Sequence, residues 1–187
     1  MKICNSKEEF EKGLNREVTT PKVNKKYING QIKNILTLAD NYAKNNSTCT
    51  KTAVGCYIVA EDDWRTVIAK GANRGEENCK ELGCLRIELF GDNSKEHRDT
   101  CRCNHSEIDA LKSVPEDKKQ ALKGATAFVT RYPCENCMNA LAEAGIKRVV
   151  YGRPFEMDYK SQKIAFDNEI AVLHIADWNC DENDTNN

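Results

Sequence analysis

From Ile28 onward, Ile32, Ile35, Leu36, Leu38, Ala39 and Tyr42 recur at the spacing of one helix face, with mostly polar residues between them. The pattern predicts an amphipathic helix with one buried stripe. The period then changes. Residues 53–60 and 66–70 are apolar and β-branched, and the charged run Glu61-Asp62-Asp63-Trp64-Arg65 separates them, which reads as a hairpin. Residues 71–104 are rich in Gly, Asn, Cys and charge, with one small apolar cluster from Leu82 to Phe90. So long a connection in a compact domain is expected to be functional or to be held by something other than apolar burial.

Beyond it the pattern alternates. A helix is expected over residues 104–113, stopped near Pro115, then a strand over 125–130, a helix over 134–144 and a strand over 148–151. A last helix over 159–168 and a strand over 170–174 follow. A leading hairpin followed by alternating helices and strands predicts an α/β fold with a mixed five-stranded sheet covered on both faces. Residues 1–26, charged and containing Pro21, read as an N-terminal extension; 27–178 form the folded domain; 179–187 are acidic and Asn-rich and are expected to be disordered.

The length of 187 residues suits one domain with a sizeable core. Lys and Arg number 28 against 29 Asp and Glu, a formal charge of −1, so no global basic field draws the chain to nucleic acid. No apolar run approaches the roughly 20 residues that span a bilayer, and the first ten residues are too polar for a signal peptide. A cytoplasmic protein without a membrane segment is the expectation. Ten cysteines then read as metal ligands and reduced thiols rather than disulfides.

Chemistry concentrates in Cys103-Asn104-His105-Ser106-Glu107 and Tyr132-Pro133-Cys134-Glu135-Asn136-Cys137. Taken alone, His105 reads as a helix cap, Glu107 as a first-turn acid, and the Cys-x-x-Cys as a redox pair or half of a structural zinc site. Together, His105, Cys134 and Cys137 can fill three positions of a zinc ion and leave the fourth for water, with Glu107 beside it to move protons. Both motifs open expected helices, where unpaired N–H groups and the helix dipole favour thiolate, and Pro133 is tolerated there. The order H-x-E…P-C-x-x-C is an established signature of zinc-dependent nucleobase deaminases.

The chain resembles the cytidine and deoxycytidylate deaminase family over about two-thirds of its length. The likeness runs from Ser47-Thr48-Cys49 through Val54-Gly55-Cys56, Gly71-Ala72-Asn73, Gly83-Cys84-Leu85-Arg86 and both motifs to Ala144-Gly145-Ile146-Lys147-Arg148-Val149-Val150-Tyr151. It implies a three-layer α/β/α fold, a catalytic zinc on His105, Cys134 and Cys137, and Glu107 as a general acid and base that does not bind the metal. The deoxycytidylate branch fits best, implying dCMP converted to dUMP and ammonia by a homo-oligomer. A free nucleoside, a modified cytidylate or a base in RNA or DNA is the alternative, although near-neutral charge and the lack of a basic, aromatic patch argue against a polynucleotide. A zinc module without catalysis is a third reading, and Glu107 speaks against it.

By the same resemblance Asn73 would contact the sugar region of a small-molecule nucleotide, and Arg74 or Arg131 its 5′-phosphate. Cys49, Cys79, Cys84 and Cys101 match positions that in some relatives hold a second, structural zinc, with Cys103 and His97 as further candidates. Three places depart from the pattern: Ser106 replaces alanine, Asp109 replaces asparagine, and Arg153-Pro154-Phe155 continues differently. Arg74 also stands where glycine is frequent.

Overall fold

The computed structural model describes residues 25–61, 64–75, 77–91, 97, 100–154 and 159–178. The N-terminal extension and the acidic tail expected from the sequence therefore lie almost wholly outside the described residues. In chain order the elements are α1 (Lys25–Asn46), β1 (Gly55–Val59), β2 (Val67–Ala72), α2 (Cys79–Leu82), α3 (Leu85–Phe90), α4 (Ser106–Lys112), a 3-10 helix (Glu116–Leu122), β3 (Thr126–Arg131), α5 (Glu135–Glu143), β4 (Arg148–Arg153), α6 (Tyr159–Asp167) and β5 (Ala171–His174).

The five strands lie in the order β2-β1-β3-β4-β5. β1 runs antiparallel to both β2 and β3, with Cys56 opposite Val129 and Tyr57 opposite Phe128. β3, β4 and β5 are parallel, with Thr126 opposite Arg148 and Val149 opposite Val172. Each parallel pair is joined by a helix, because a parallel connection needs a crossover too long for a turn. The result is the mixed sheet that the sequence pattern predicts.

Side-chain alternation divides the core. Cys56, Ile58, Ala127, Val129 and Val149 face one side, where they pack with Ala110 of α4, Met138 and Leu141 of α5 and Ala165 of α6. Tyr57, Val59, Phe128 and Val150 face the other, against Ile32, Ile35, Leu36 and Ala39 of α1, with Trp178 completing that layer. Strands buried on both faces read as unbroken apolar runs, which accounts for the composition of β1 and β3. The architecture is α/β/α in three layers.

Leu38 departs from the expected stripe. It is 51% exposed, because at 3.6 residues per turn it projects roughly 110° from the centre of the face that Ile32, Ile35, Leu36 and Ala39 share. The 71–104 connection contains two short helices that no periodicity announces. Asn78 caps α2 by accepting the Lys80 N–H at 3.0 Å, and Gly83 ends it at φ +81°. Leu82, Ile87, Leu89 and Phe90 remain exposed, so this apolar cluster adds no core.

Candidate active site

The two motifs meet at the starts of α4 and α5. His105 and Cys134 each occupy the extended residue before a helix, at φ −71°, ψ 156° and φ −73°, ψ 172°. Their carbonyls accept the first intrahelical bonds, from the Asp109 N–H and the Met138 N–H, both at 2.9 Å. Their side chains therefore sit at helix ends where unpaired N–H groups gather. Ser161 of α6, fully buried, donates to the Pro133 carbonyl at 2.8 Å and holds the turn into α5 from behind. Nothing in the sequence marks Ser161, since the contact spans 28 residues.

His105 Nδ1 lies 3.4 Å from Cys134 Sγ and 3.3 Å from Cys137 Sγ. All three donor atoms fall within 4.8 Å of one another, and among the described residues this is the one group of three or more His, Cys, Asp or Glu donors so placed. Zinc takes nitrogen at about 2.0 Å and thiolate at about 2.3 Å, so these separations and this donor chemistry fit a single ion with three protein ligands. The thiols are already polarised. A hydrogen bond from Cys137, and then the nearby His105, hold Cys134 down at about 4; the same bond, with burial, pushes Cys137 well up. A metal entering the group displaces the proton that the pair retains.

Glu107 is buried at 4% exposure, on the first turn of α4 beside the donor group. Burial raises its carboxyl pKa, an effect that His105 partly offsets. Ser106, the residue that departs from alanine, donates its hydroxyl to Glu107 Oε2 at 2.9 Å. The small polar side chain thus orients the carboxylate.

The residues expected to touch a nucleotide have structural partners. Asn73 is buried; its Oδ1 accepts the Val54 N–H at 2.8 Å and its Nδ2 donates to the Thr52 carbonyl at 2.7 Å, so it ties the end of β2 to the entry of β1. Arg74 Nε donates to Asp109 Oδ2 at 2.9 Å and Oδ1 at 3.0 Å. Arg131 ends β3 opposite Arg153 of β4, three residues before Cys134.

Around the connection, Cys79 Sγ and Cys103 Sγ are 3.5 Å apart, and Thr48 Oγ1 is 3.5 Å from Cys103 Sγ. Burial raises Cys103 to about 11 and also raises Cys79 and Cys101. Cys49, Cys84 and Cys101 lie close enough to Cys79 to act on it electrostatically, although the four do not form a group with all donor atoms within 4.8 Å of one another. The His97 ring stacks on Phe90 with centroids 3.8 Å apart.

Residues 30–153 match the family described as the cytidine and deoxycytidylate deaminase zinc-binding region. The deoxycytidylate deaminase of Saccharomyces cerevisiae is 36% identical over 133 residues, 70% of this chain and 40% of that protein. That of Schizosaccharomyces pombe is 36% identical over 119 residues, 62% and 35% of the two chains. ComE operon protein 2 of Bacillus subtilis is 34% identical over 128 residues, 64% and 56%. The chain thus spans less than half the length of the two yeast relatives it matches. The dCMP deaminase of cyanophage S-TIM5, solved with dCMP and dUMP, has the same fold, with a TM-score of 0.54 at 21% identity over 76% of this chain and 95% of that one. Because the family match runs from α1 through β4 and takes in both motifs, the chain belongs to the cytidine and deoxycytidylate deaminase family.

Proposed function

We propose that the protein hydrolytically deaminates a cytosine nucleotide, converting dCMP to dUMP and ammonia. The observation that carries this reading is the convergence of His105, Cys134 and Cys137 within 4.8 Å, with the buried carboxylate of Glu107 on the same turn as His105. When bound, zinc polarises a water in its open position and lowers the pKa of that water toward about 7.

Glu107 accepts the proton of the attacking water and delivers it to ring N3 as C4 becomes tetrahedral. It then carries the remaining hydroxyl proton to the amino group, so that ammonia leaves and the C4 carbonyl forms. A carboxyl raised by burial is suited to both halves of that cycle. Ser106 keeps the carboxylate turned to one orientation through its hydrogen bond.

The choice of dCMP is supported by the yeast relatives, both named deoxycytidylate deaminase, and by the cyanophage enzyme solved with dCMP and dUMP. Asn73 and Arg131 are the candidate contacts to sugar and 5′-phosphate; Arg74, the other arginine that the resemblance offers, is turned to the Asp109 carboxylate, which works against a phosphate there. We assign a zinc to His105, Cys134 and Cys137; a second, structural zinc on Cys49, Cys79, Cys84 and Cys101 would be a separate site. A reducing, cytoplasmic setting is supported by the eight described cysteines, all unpaired. Tyr159 and Phe166 lie seven residues apart on one face of α6 and are exposed, which supports a homo-oligomer.

The zinc-loaded protein is expected to release ammonia fastest from dCMP in a panel that also holds CMP, deoxycytidine, cytosine and a short single-stranded DNA. Equal kcat/KM for deoxycytidine and dCMP would replace the nucleotide reading with a nucleoside one.

A further inference from the structure

The helix that carries Glu107, with His105 immediately before it, rests directly on the edge strand of the sheet. A Cβ at Gly71 of β2 would lie 2.0 Å from the Ser106 carbonyl oxygen and 2.4 Å from the Ala110 nitrogen, so only glycine permits this approach. Two further ties bracket the contact. At one end the Arg74 carbonyl accepts the Asn104 N–H at 2.9 Å, immediately before His105. At the other, Asp109 Oδ2 accepts the Ala72 N–H at 3.0 Å while both Asp109 oxygens receive Arg74 Nε at 2.9 and 3.0 Å. Residues 104–109 are thereby held to residues 72–74 at both ends.

Arg74 and Asp109 are two of the positions at which the sequence departs from the pattern it resembles, and they touch. The Asp109 side chain is 14% exposed and that of Arg74 39%, so the carboxylate is the more dependent partner. The charge of Asp109 also reaches the interior: with Glu107, it helps to raise the buried Cys56 thiol, after burial itself. A mostly buried carboxylate without its cation carries an uncompensated desolvation cost, which the structure relieves by moving the group or the element that bears it. Here that element is α4.

We propose that Arg74 and Asp109 are a positioning pair that fixes the start of α4 on β2, and so sets His105 and Glu107 relative to the two thiols at the start of α5. The inference rests on the deaminase reading of the site for its kinetic consequence, but its effect on metal affinity does not need turnover. Arg74 acts through Asp109, and its partner is a residue of this chain rather than the phosphate of a substrate.

The test compares the full chain with Arg74→Ala, Asp109→Asn and the double variant. For each, kcat and KM on dCMP are measured, zinc affinity is read by competition with a chromogenic chelator, and thermal unfolding serves as a control. Arg74→Ala is expected to lower kcat and zinc affinity each by about tenfold, with KM within about threefold of the parent. Asp109→Asn keeps an oxygen for the Ala72 N–H and takes from the half-exposed arginine its carboxylate, leaving it the Tyr42 hydroxyl. The double variant should therefore return both quantities to within about threefold of the parent. That rescue is what loss of general stability would not produce. The proposal is overturned if Arg74→Ala matches the parent in kcat and zinc affinity, or if the double variant is as impaired as Arg74→Ala. It is equally overturned if Arg74→Ala changes KM alone, which would make Arg74 a substrate contact. If the parent protein turns over no cytosine substrate, the functional reading fails by itself and the zinc-affinity cycle still decides the pairing.

Discussion

Glu107→Gln is expected to leave zinc content at the parent level and to lower kcat on dCMP by about 10²–10⁴-fold, the range that a positioned general acid or base contributes. Glutamine has nearly the shape of glutamate and can still accept the Ser106 hydroxyl that now meets Oε2 at 2.9 Å, so packing at this buried position survives. What is lost is the ability to take a proton from water and give it to N3 and to the amino group. The metal should be unaffected, because Glu107 is outside the group of His105, Cys134 and Cys137 whose donor atoms are gathered within 4.8 Å. Metal analysis alongside ammonia release checks both halves. Turnover near the parent rate in a zinc-loaded variant would remove Glu107 from the mechanism.

Cys137→Ala is expected to abolish both zinc binding and deamination, a loss at least as large as that of Glu107→Gln. Cys137 is 1% exposed and its Sγ lies 3.3 Å from His105 Nδ1, so its removal leaves two donors where zinc needs three from the protein. The informative comparison is Cys103→Ala. Cys103 is also buried and lies two residues before His105, but it contacts Cys79 and Thr48 and is outside the donor group. It should keep its zinc, with circular dichroism showing both variants folded. Equal zinc content in the two would contradict the ligand assignment.

The strands and the gathering of His105, Cys134 and Cys137 were legible in the sequence for different reasons. The strands showed because each central one is buried on both faces and so reads as an uninterrupted apolar run, as in Cys56 to Val59 and Ala127 to Val129. The site showed because its chemistry demands particular residue types at fixed local spacing, and the helix starts at His105 and Cys134 bring the two motifs together. Contacts that join distant positions through ordinary polar residues left no such mark. The clamp of Asp109 on Ala72 and Arg74 spans 35 to 37 residues, and Asn73 is used by the turn at Thr52 and Val54. The helices α2 and α3 were also hidden, since their ends depend on local capping at Asn78 and on glycines rather than on a buried stripe. Cysteine number is ambiguous for a physical reason: a buried thiol packs as a small apolar group, as Cys56 does at 0% exposure, whether or not its neighbours hold an ion.

The most direct test of hydrolytic deamination at this site is to incubate the zinc-loaded protein with dCMP in water enriched in heavy oxygen and to follow ammonia and product mass together. The account predicts dUMP carrying one heavy oxygen, at C4, formed in step with an equal amount of ammonia, and neither product from zinc-loaded Glu107→Gln over the same interval. Unchanged dCMP with the zinc-loaded parent protein, or dUMP without heavy oxygen, would contradict it.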